Sequence, residues 1–293
     1  MHPQTEAAIQ GNGSHGSPEP PDVVKLESSH RLSPSISLHT FSVSKRASFL
    51  ASFHPSQNVA LQFPDDLDLI YGSKSLKEED RCLTFTPCQL SDSPDVDCFT
   101  MSVITRNGRV TGLLGIPRPH GRLTAKVVGT GGGFSTSNIE NIGFATCIAG
   151  GTGIAPFLAM TNAWWGANGC QGRISLMWSI NGNDFPLVEY LVREKILQSI
   201  HWLSVTIFIT PGDEFDGLLA GKTEDWWAKK ISELRVEIDS SIQTRLRRME
   251  KEDLDSTISN SDHQVLFCGS KALEWQIRMW CLNKCQVFKT ELS

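Results

Sequence analysis

The residues best suited to chemistry lie in one run, Ile142 to Met160, I-G-F-A-T-C-I-A-G-G-T-G-I-A-P-F-L-A-M. Its apolar part, Phe144 to Ala149, is long enough for a strand and too short for a core helix. It shows no alternation, which predicts a strand buried on both faces, as in a parallel sheet. Gly150, Gly151 and Gly153 stand around Thr152. Lacking a Cβ, they permit a sharp turn and let a ligand approach the backbone. Ile154 and Ala155 lead to Pro156, which suits a first helical turn, where its missing N–H has no partner to lose. Strand, glycine turn and helix N-terminus together make an anion site, because free N–H groups and the helix dipole point at the turn. No Lys follows the glycines, so this is not a Walker loop, and Pro156 takes the place of the third Gly of G-x-G-x-x-G. A tight strand–helix connection that binds nothing is the plainer alternative.

The elements that must position this turn fall into two groups. From Ser37 to about Val128 the pattern is strand and turn, with strands expected at 37–44, 47–53, 58–63, 81–86, 98–105 and 124–129. Turn signals such as Asn107-Gly108 separate them, and six short strands without long helices predict a closed antiparallel barrel. From about Ile142 strands alternate with helices: strands at 143–149, 173–179, 203–210, 264–268 and 286–291, helices at 155–165, 185–199, 224–252 and 271–283. That order predicts a doubly wound parallel sheet. Thr223 is a candidate N-cap for the third helix, whose Lys and Arg residues read as a solvated face. The fold class is therefore α/β with a β-barrel, divided into a tail at 1–35, rich in Pro, Gly, Ser and His and expected to be disordered, a barrel at 36–138 and an α/β domain at 139–293.

Composition narrows the function classes. The chain has 293 residues, 40% hydrophobic and 20% charged, with a formal net charge of −5. That charge argues against a nucleic-acid partner held by phosphate attraction. No apolar run approaches a membrane span, and the N-terminus lacks a charged-then-apolar leader pattern. None of the eight cysteines forms a C-x-x-C pair and no His stands close enough to complete a zinc site, so reduced thiols in a cytoplasmic protein are expected. Cys281 and Cys285, four apart, are expected to share a helix face.

A barrel followed by a doubly wound domain points to a flavin in the first and a nicotinamide dinucleotide in the second. With its motifs in order, the chain resembles the ferredoxin–NADP reductase superfamily over roughly residues 36–293, in particular fungal proteins with an FAD-binding reductase-type domain. His54-Pro55-Ser56-Gln57-Asn58-Val59 is similar to P-G-Q-x-V, and Arg81-Cys82-Leu83-Thr84-Phe85-Thr86 to R-x-Y-T-x-S. The resemblance implies that Arg81 pairs with the FAD diphosphate, which a guanidinium suits through two parallel charged hydrogen bonds. It also implies that position 83 packs on the flavin, Thr84 hydrogen-bonds near the ring nitrogen that accepts hydride, and Thr86 contributes to the same site. Leu83 stands where the family has an aromatic, and Phe85, one residue along the strand from Thr84, points to the opposite face. Gly108-Arg109-Val110-Thr111-Gly112 is similar to the phosphate-binding G-x-V-S, and Gly129 to Ser135 to the turn that closes the barrel. The run Gly150 to Pro156 is similar to the nicotinamide-binding G-G-T-G-I-T-P, and Cys268-Gly269-Ser270 to C-G-P, where the Cys lies near the nicotinamide. Glu291 matches an acidic residue near the family's C-terminus.

Two readings follow from the resemblance. The first is an FAD-dependent oxidoreductase that takes hydride from NAD(P)H and reduces a small molecule or an electron-acceptor protein, in fungal secondary metabolism, with Thr84, Cys268 and Glu291 at the reaction centre. The second is a reductase scaffold repurposed for a non-redox isomerisation or cyclisation. Ser179 to Asp184, after the second parallel strand, offer hydrogen bonds to a ribose and no cation, with Asp184 set to repel a phosphate or to cap the next helix; this predicts a preference for NADH. A basic residue reaching the ribose from elsewhere, such as Arg193 or Lys222, would reverse it.

Overall fold

The computed structural model describes residues 22–68, 76–118, 123–134, 144–168, 174–197, 204–211, 222–237, 242–258, 263–282 and 284–290. Seven antiparallel strands form the first sheet: β1 Val23–Arg31, β2 Ile36–Ser44, β3 Asn58–Gln62, β4 Cys82–Phe85, β5 Pro87–Asp92, β6 Cys98–Arg106 and β7 Thr124–Gly131, in the order β4-β3-β7-β1-β2-β6-β5. Strands far apart in that order meet inside it. Phe85 of β4 lies 6.2 Å from Phe41 of β2, and both join one apolar core with Val24, Leu61, Met101 and Ala125. A sheet wrapped on its own core in this way is barrel-like.

The strand count differs from the expected six in three places. The supposed tail contributes β1, in which Val24 and Leu26 are buried between exposed Val23 and Lys25. Two inward residues in a polar stretch are a weak period-2 signal, and pairing with β2 and β7 supplies what local propensity does not. Residues 47–53 contain a 3-10 turn, Ser48–Ala51, rather than a strand, because Asp22 accepts hydrogen bonds from the Ser48 and Phe49 N–H groups (2.8 and 2.9 Å). Pro87 opens an additional strand, β5.

The second sheet is wholly parallel: β8 Ala145–Gly150, β9 Ile174–Asn181, β10 Ser204–Thr210, β11 Ile242–Arg245, β12 Gln264–Cys268 and β13 Gln286–Lys289, in the order β11-β10-β9-β8-β12-β13. Its helices are α1 Ala155–Asn168, α2 Phe185–Arg193, α3 Glu224–Glu237, α4 Lys251–Asp255 and α5 Lys271–Trp280. Thr223 caps α3, accepting from the Trp226 N–H at 3.3 Å. The expected long helix 224–252 is instead α3, β11 and the start of α4. Two of its basic residues there are part-exposed and paired: Arg247 donates to the buried Asp253 at 2.6 and 2.7 Å, and Arg245 pairs with the same carboxylate, while Arg248 is exposed. The helix expected at 271–283 ends at Trp280, so Cys285 lies beyond it. The expected boundary at 138/139 falls outside the described residues. Contacts that join the halves include Phe134, following β7, which stacks on Phe157 of α1 (5.3 Å, 23°), and Ser35 before β2, which donates to Asp184 before α2 (2.6 Å).

One buried histidine gives the barrel a pH-dependent stability. His39 is fully buried between Ser29 Oγ (2.7 Å) and Thr105 Oγ1 (3.0 Å), and burial pushes its pKa down to about 4. An unfolded chain takes up this proton below the ordinary value near 6.5 while the folded chain does not. Stability therefore declines as pH falls from about 6.5 to about 4, by on the order of 3 kcal/mol at about 1.4 kcal/mol per pKa unit. Urea unfolding at pH 7 and pH 5 should show a larger loss for the native chain than for His39→Gln; equal losses would exclude His39 as the cause.

Candidate functional site

The sheet order reverses between β8 and β12, and in open α/β sheets ligands bind at such a switch point, off the carboxyl ends of the strands. A cavity of about 860 Å³ lies there. One wall is the edge of the parallel sheet: Gly150 to Gly153 after β8, Ser179 to Asn181 ending β9, Thr210 ending β10, Arg248 after β11 and Cys268 to Ser270 after β12. The facing wall is barrel: Leu83 to Phe85 on β4, Thr86 just after it, Ile104 to Arg106 ending β6, and Thr111.

The glycine turn is built by close backbone packing. Gly151 to Ile154 form a 3-10 turn running into α1, and Gly151 has φ +57°. A Cβ on Gly153 would stand 2.3 Å from the Cys268 carbonyl oxygen, and one on Gly150 would stand 3.3 Å from Gly269 Cα. The two strand–helix turns therefore touch along their main chains, and only glycine fits at this approach. The Trp178 indole N–H donates to the Gly151 carbonyl at 2.8 Å, which fixes that peptide.

A cation reaches over this turn from the barrel. Arg106 Nη2 lies 2.9 Å from where a Gly151 Cβ would be and donates to Asp184 Oδ2 at 2.6 Å. Asp184 is only 1% exposed, and Ser35 donates to its other oxygen. Asp184 thus neither repels an anion nor caps α2; the local capping falls to Asn181, whose side chain accepts from the Asn183 N–H at 2.9 Å.

No family model and no curated protein matches the chain. Solved structures do. Over 91% of its length it is similar to the CS-b5R domains of human Ncb5or in the NAD+ form, with a TM-score of 0.58, 14% identity and 68% of that chain covered. It is similar to the flavohem-like FAD/NAD-binding domain of nitric oxide dioxygenase from Vibrio cholerae (TM-score 0.55, 9% identity, 92% of this chain and 99% of that one). A ferredoxin NADP+ reductase from Neisseria gonorrhoeae with bound FAD and NADP gives a TM-score of 0.51 at 12% identity, over 91% of this chain and 97% of that one. The fold is that of ferredoxin–NADP reductase-like FAD/NAD-binding domains.

Within this reductase-like fold, the dinucleotide half of the expected site assembles. Gly150, Gly151, Thr152, Gly153, Pro156, Cys268 and Gly269 line the cavity, while Ile154 is fully buried behind them. Burial raises the Cys268 thiol pKa, opposed by the Thr290 hydroxyl and Lys289, so it stays protonated at neutral pH. Glu291 lies outside the described residues. Arg193 and Lys222 do not line the cavity; Arg248 does, and it makes no ion pair among the described residues. Its run, Arg245 to Arg248, was hidden in the sequence by the helical reading of 224–252.

The flavin half does not assemble as expected. Thr84 is exposed to the cavity, and Thr86 lines it while donating to Asn58 Oδ1 (2.5 Å). Arg81 ends a 3-10 turn before β4, pairs with Asp65 and is not among the lining residues; its buried Nε has no partner. Thr111 accepts from the Gly108 N–H (2.7 Å) and donates to the Arg106 carbonyl (2.6 Å), so its proton serves the loop. Gly108 and Val110 do not line the cavity, and Val110 packs on the barrel core. Leu83 and Phe85 share the inward face of β4, with Phe85 tucked between Phe41 and Phe63. A flavin needs a cation for its diphosphate and a flat apolar surface for its ring. Among the described lining residues the only charged ones are Arg106 and Arg248, bound to or facing the parallel-sheet domain. These residues do not fit a flavin held in the family's manner.

Proposed function

We propose that the protein is an NAD(P)H-dependent oxidoreductase whose dinucleotide lies in the cavity between barrel and parallel sheet. The observation that carries this reading is the Gly150–Gly153 turn, packed so tightly on Cys268 and Gly269 that a Cβ at 153 cannot be accommodated, and open to the cavity above. The turn and the N-terminus of α1 receive the diphosphate, and Arg106 adds a positive charge from the barrel side. Ser179, Asn181 and Arg248 receive the adenosine ribose, and Cys268 flanks the nicotinamide as a neutral packing group. Thr84 presents a hydroxyl to whatever lies against the barrel. When bound, the dinucleotide supplies hydride to an acceptor beside it.

The choice between nucleotides turns on charge. With Asp184 buried and paired, the repulsion that favoured NADH is gone, and Arg248 is the cation available for a ribose phosphate. We therefore read the site as accepting NADPH. Arg248→Ala should weaken NADPH binding by about tenfold or more, the scale of a hydrogen bond to a charged group, and leave NADH unchanged. Equal loss for both nucleotides would place Arg248 on a group they share and remove it from the ribose phosphate. Saturable binding of NADPH, monitored by its fluorescence and lost in Gly151→Val, tests the reading as a whole.

A second reading, non-redox chemistry on the same scaffold, is favoured by the uncharged wall formed by β4. It predicts substrate turnover with no net consumption of NADPH.

A further inference from the structure

We infer that the barrel half of the cavity does not hold a flavin diphosphate and is built for an uncharged ligand beside the dinucleotide. This rests on the dinucleotide reading above. The pattern R-x-aromatic-hydroxyl-x-S can be laid on β4 in two registers. Read from Arg81, it gives Leu83 for the aromatic. Read from Leu83, it gives Phe85, Thr86 and, for the final Ser, its near-isostere Cys88. Leu83 to Thr86 line the cavity in either register, and in neither does a guanidinium: Arg81, which heads the first, is outside it, and Leu83 heads the second.

In the second register the position of the guanidinium is Leu83. Leu83 and Phe85 follow the period-2 alternation of β4 and pack toward the barrel core, leaving Thr84 as the exposed group between them. Neither lining arginine supplies the missing charge. Arg106 lies over Gly151, beside the dinucleotide turn, and Arg248 follows β11, at the end of the parallel sheet. Nor does Arg81 supply it: its guanidinium lies outside the cavity, paired with Asp65. A diphosphate on the β4 wall would meet the strand's outward face with the Thr84 and Thr86 hydroxyls, and burying that charge without a cation is strongly unfavourable. The same wall suits an uncharged ligand that offers one or two hydrogen-bonding groups.

The test compares FAD with lumiflavin, the uncharged flavin ring without phosphate, in titrations of the full-length protein followed by flavin fluorescence. The native chain should purify without a flavin absorption band and bind FAD no more tightly than lumiflavin. Thr84→Arg, which places a cation on the exposed face of β4, should raise FAD affinity relative to lumiflavin about tenfold or more, while Arg81→Ala should alter neither. Retained NADPH binding establishes that the Thr84 variant is folded. One FAD per native chain, or FAD bound tenfold or more tighter than lumiflavin, would overturn the inference, and loss of that binding in Arg81→Ala would make Arg81 the anchor. A folded Thr84→Arg chain with no gain in FAD affinity over lumiflavin would overturn it as well. Failure of the dinucleotide reading shows separately, as absence of NADPH binding to the native chain.

Discussion

Gly153→Val is expected to eliminate dinucleotide binding and to destabilise the α/β domain by about 3 kcal/mol or more, the upper range for overpacking at a site that cannot relax. The obstacle is main chain, not a flexible side chain: the Cys268 carbonyl oxygen would be 2.3 Å from the new Cβ and its carbon 2.8 Å away. Relief requires moving either the turn before α1 or the end of β12, and those are the two segments that border the nucleotide. Gly153→Ala meets the same carbonyl and should lose binding too, with a smaller loss of stability. Differential scanning calorimetry and an NADPH titration on both variants check this; native affinity in Gly153→Ala would show that the two turns are not held as described.

Arg106→Leu should have the second largest effect. It leaves the Asp184 carboxylate, 1% exposed, with Ser35 as its only partner through a described side-chain hydrogen bond. Stranding a buried charge is costly, here about 2 kcal/mol after allowance for the half-exposed arginine. It also removes the cation above Gly151. The double variant Arg106→Leu, Asp184→Leu separates the two roles. It should regain most of the stability, because both members of the pair are gone, and none of the nucleotide affinity. If the double variant binds NADPH as the native chain does, Arg106 only joins the domains.

What the sequence revealed and what it concealed divide along physical lines. The parallel strand before Gly150, the glycine turn and the proline after it are local features, read from a few neighbouring residues, and the structure places them together at the switch point. Ser56 is a similar case. It stands where the family has Gly, and its φ of +78° shows why a glycine belongs there; its hydroxyl compensates by accepting from the Phe134 N–H at 3.1 Å. The misreadings are of long range. Strand β1 exists through its pairing with β2 and β7, not through its own composition. The Arg81 match rests on residue type; in the structure Arg81 pairs with Asp65 and lies outside the cavity, and Leu83 and Phe85 pack inward on β4. Asp184 looked like a free charge or a cap because its partners, Arg106 and Ser35, are 78 and 149 residues away in the chain.

A calorimetric titration of the native protein with NADP+ at neutral pH tests the dinucleotide site most directly. One nucleotide should bind per chain, displaced by ADP-ribose, with an affinity that added FAD does not change and that Gly153→Val removes. No binding up to about 1 mM, the top of the usual range for enzyme substrates, would contradict it, as would full affinity in the Gly153 variant.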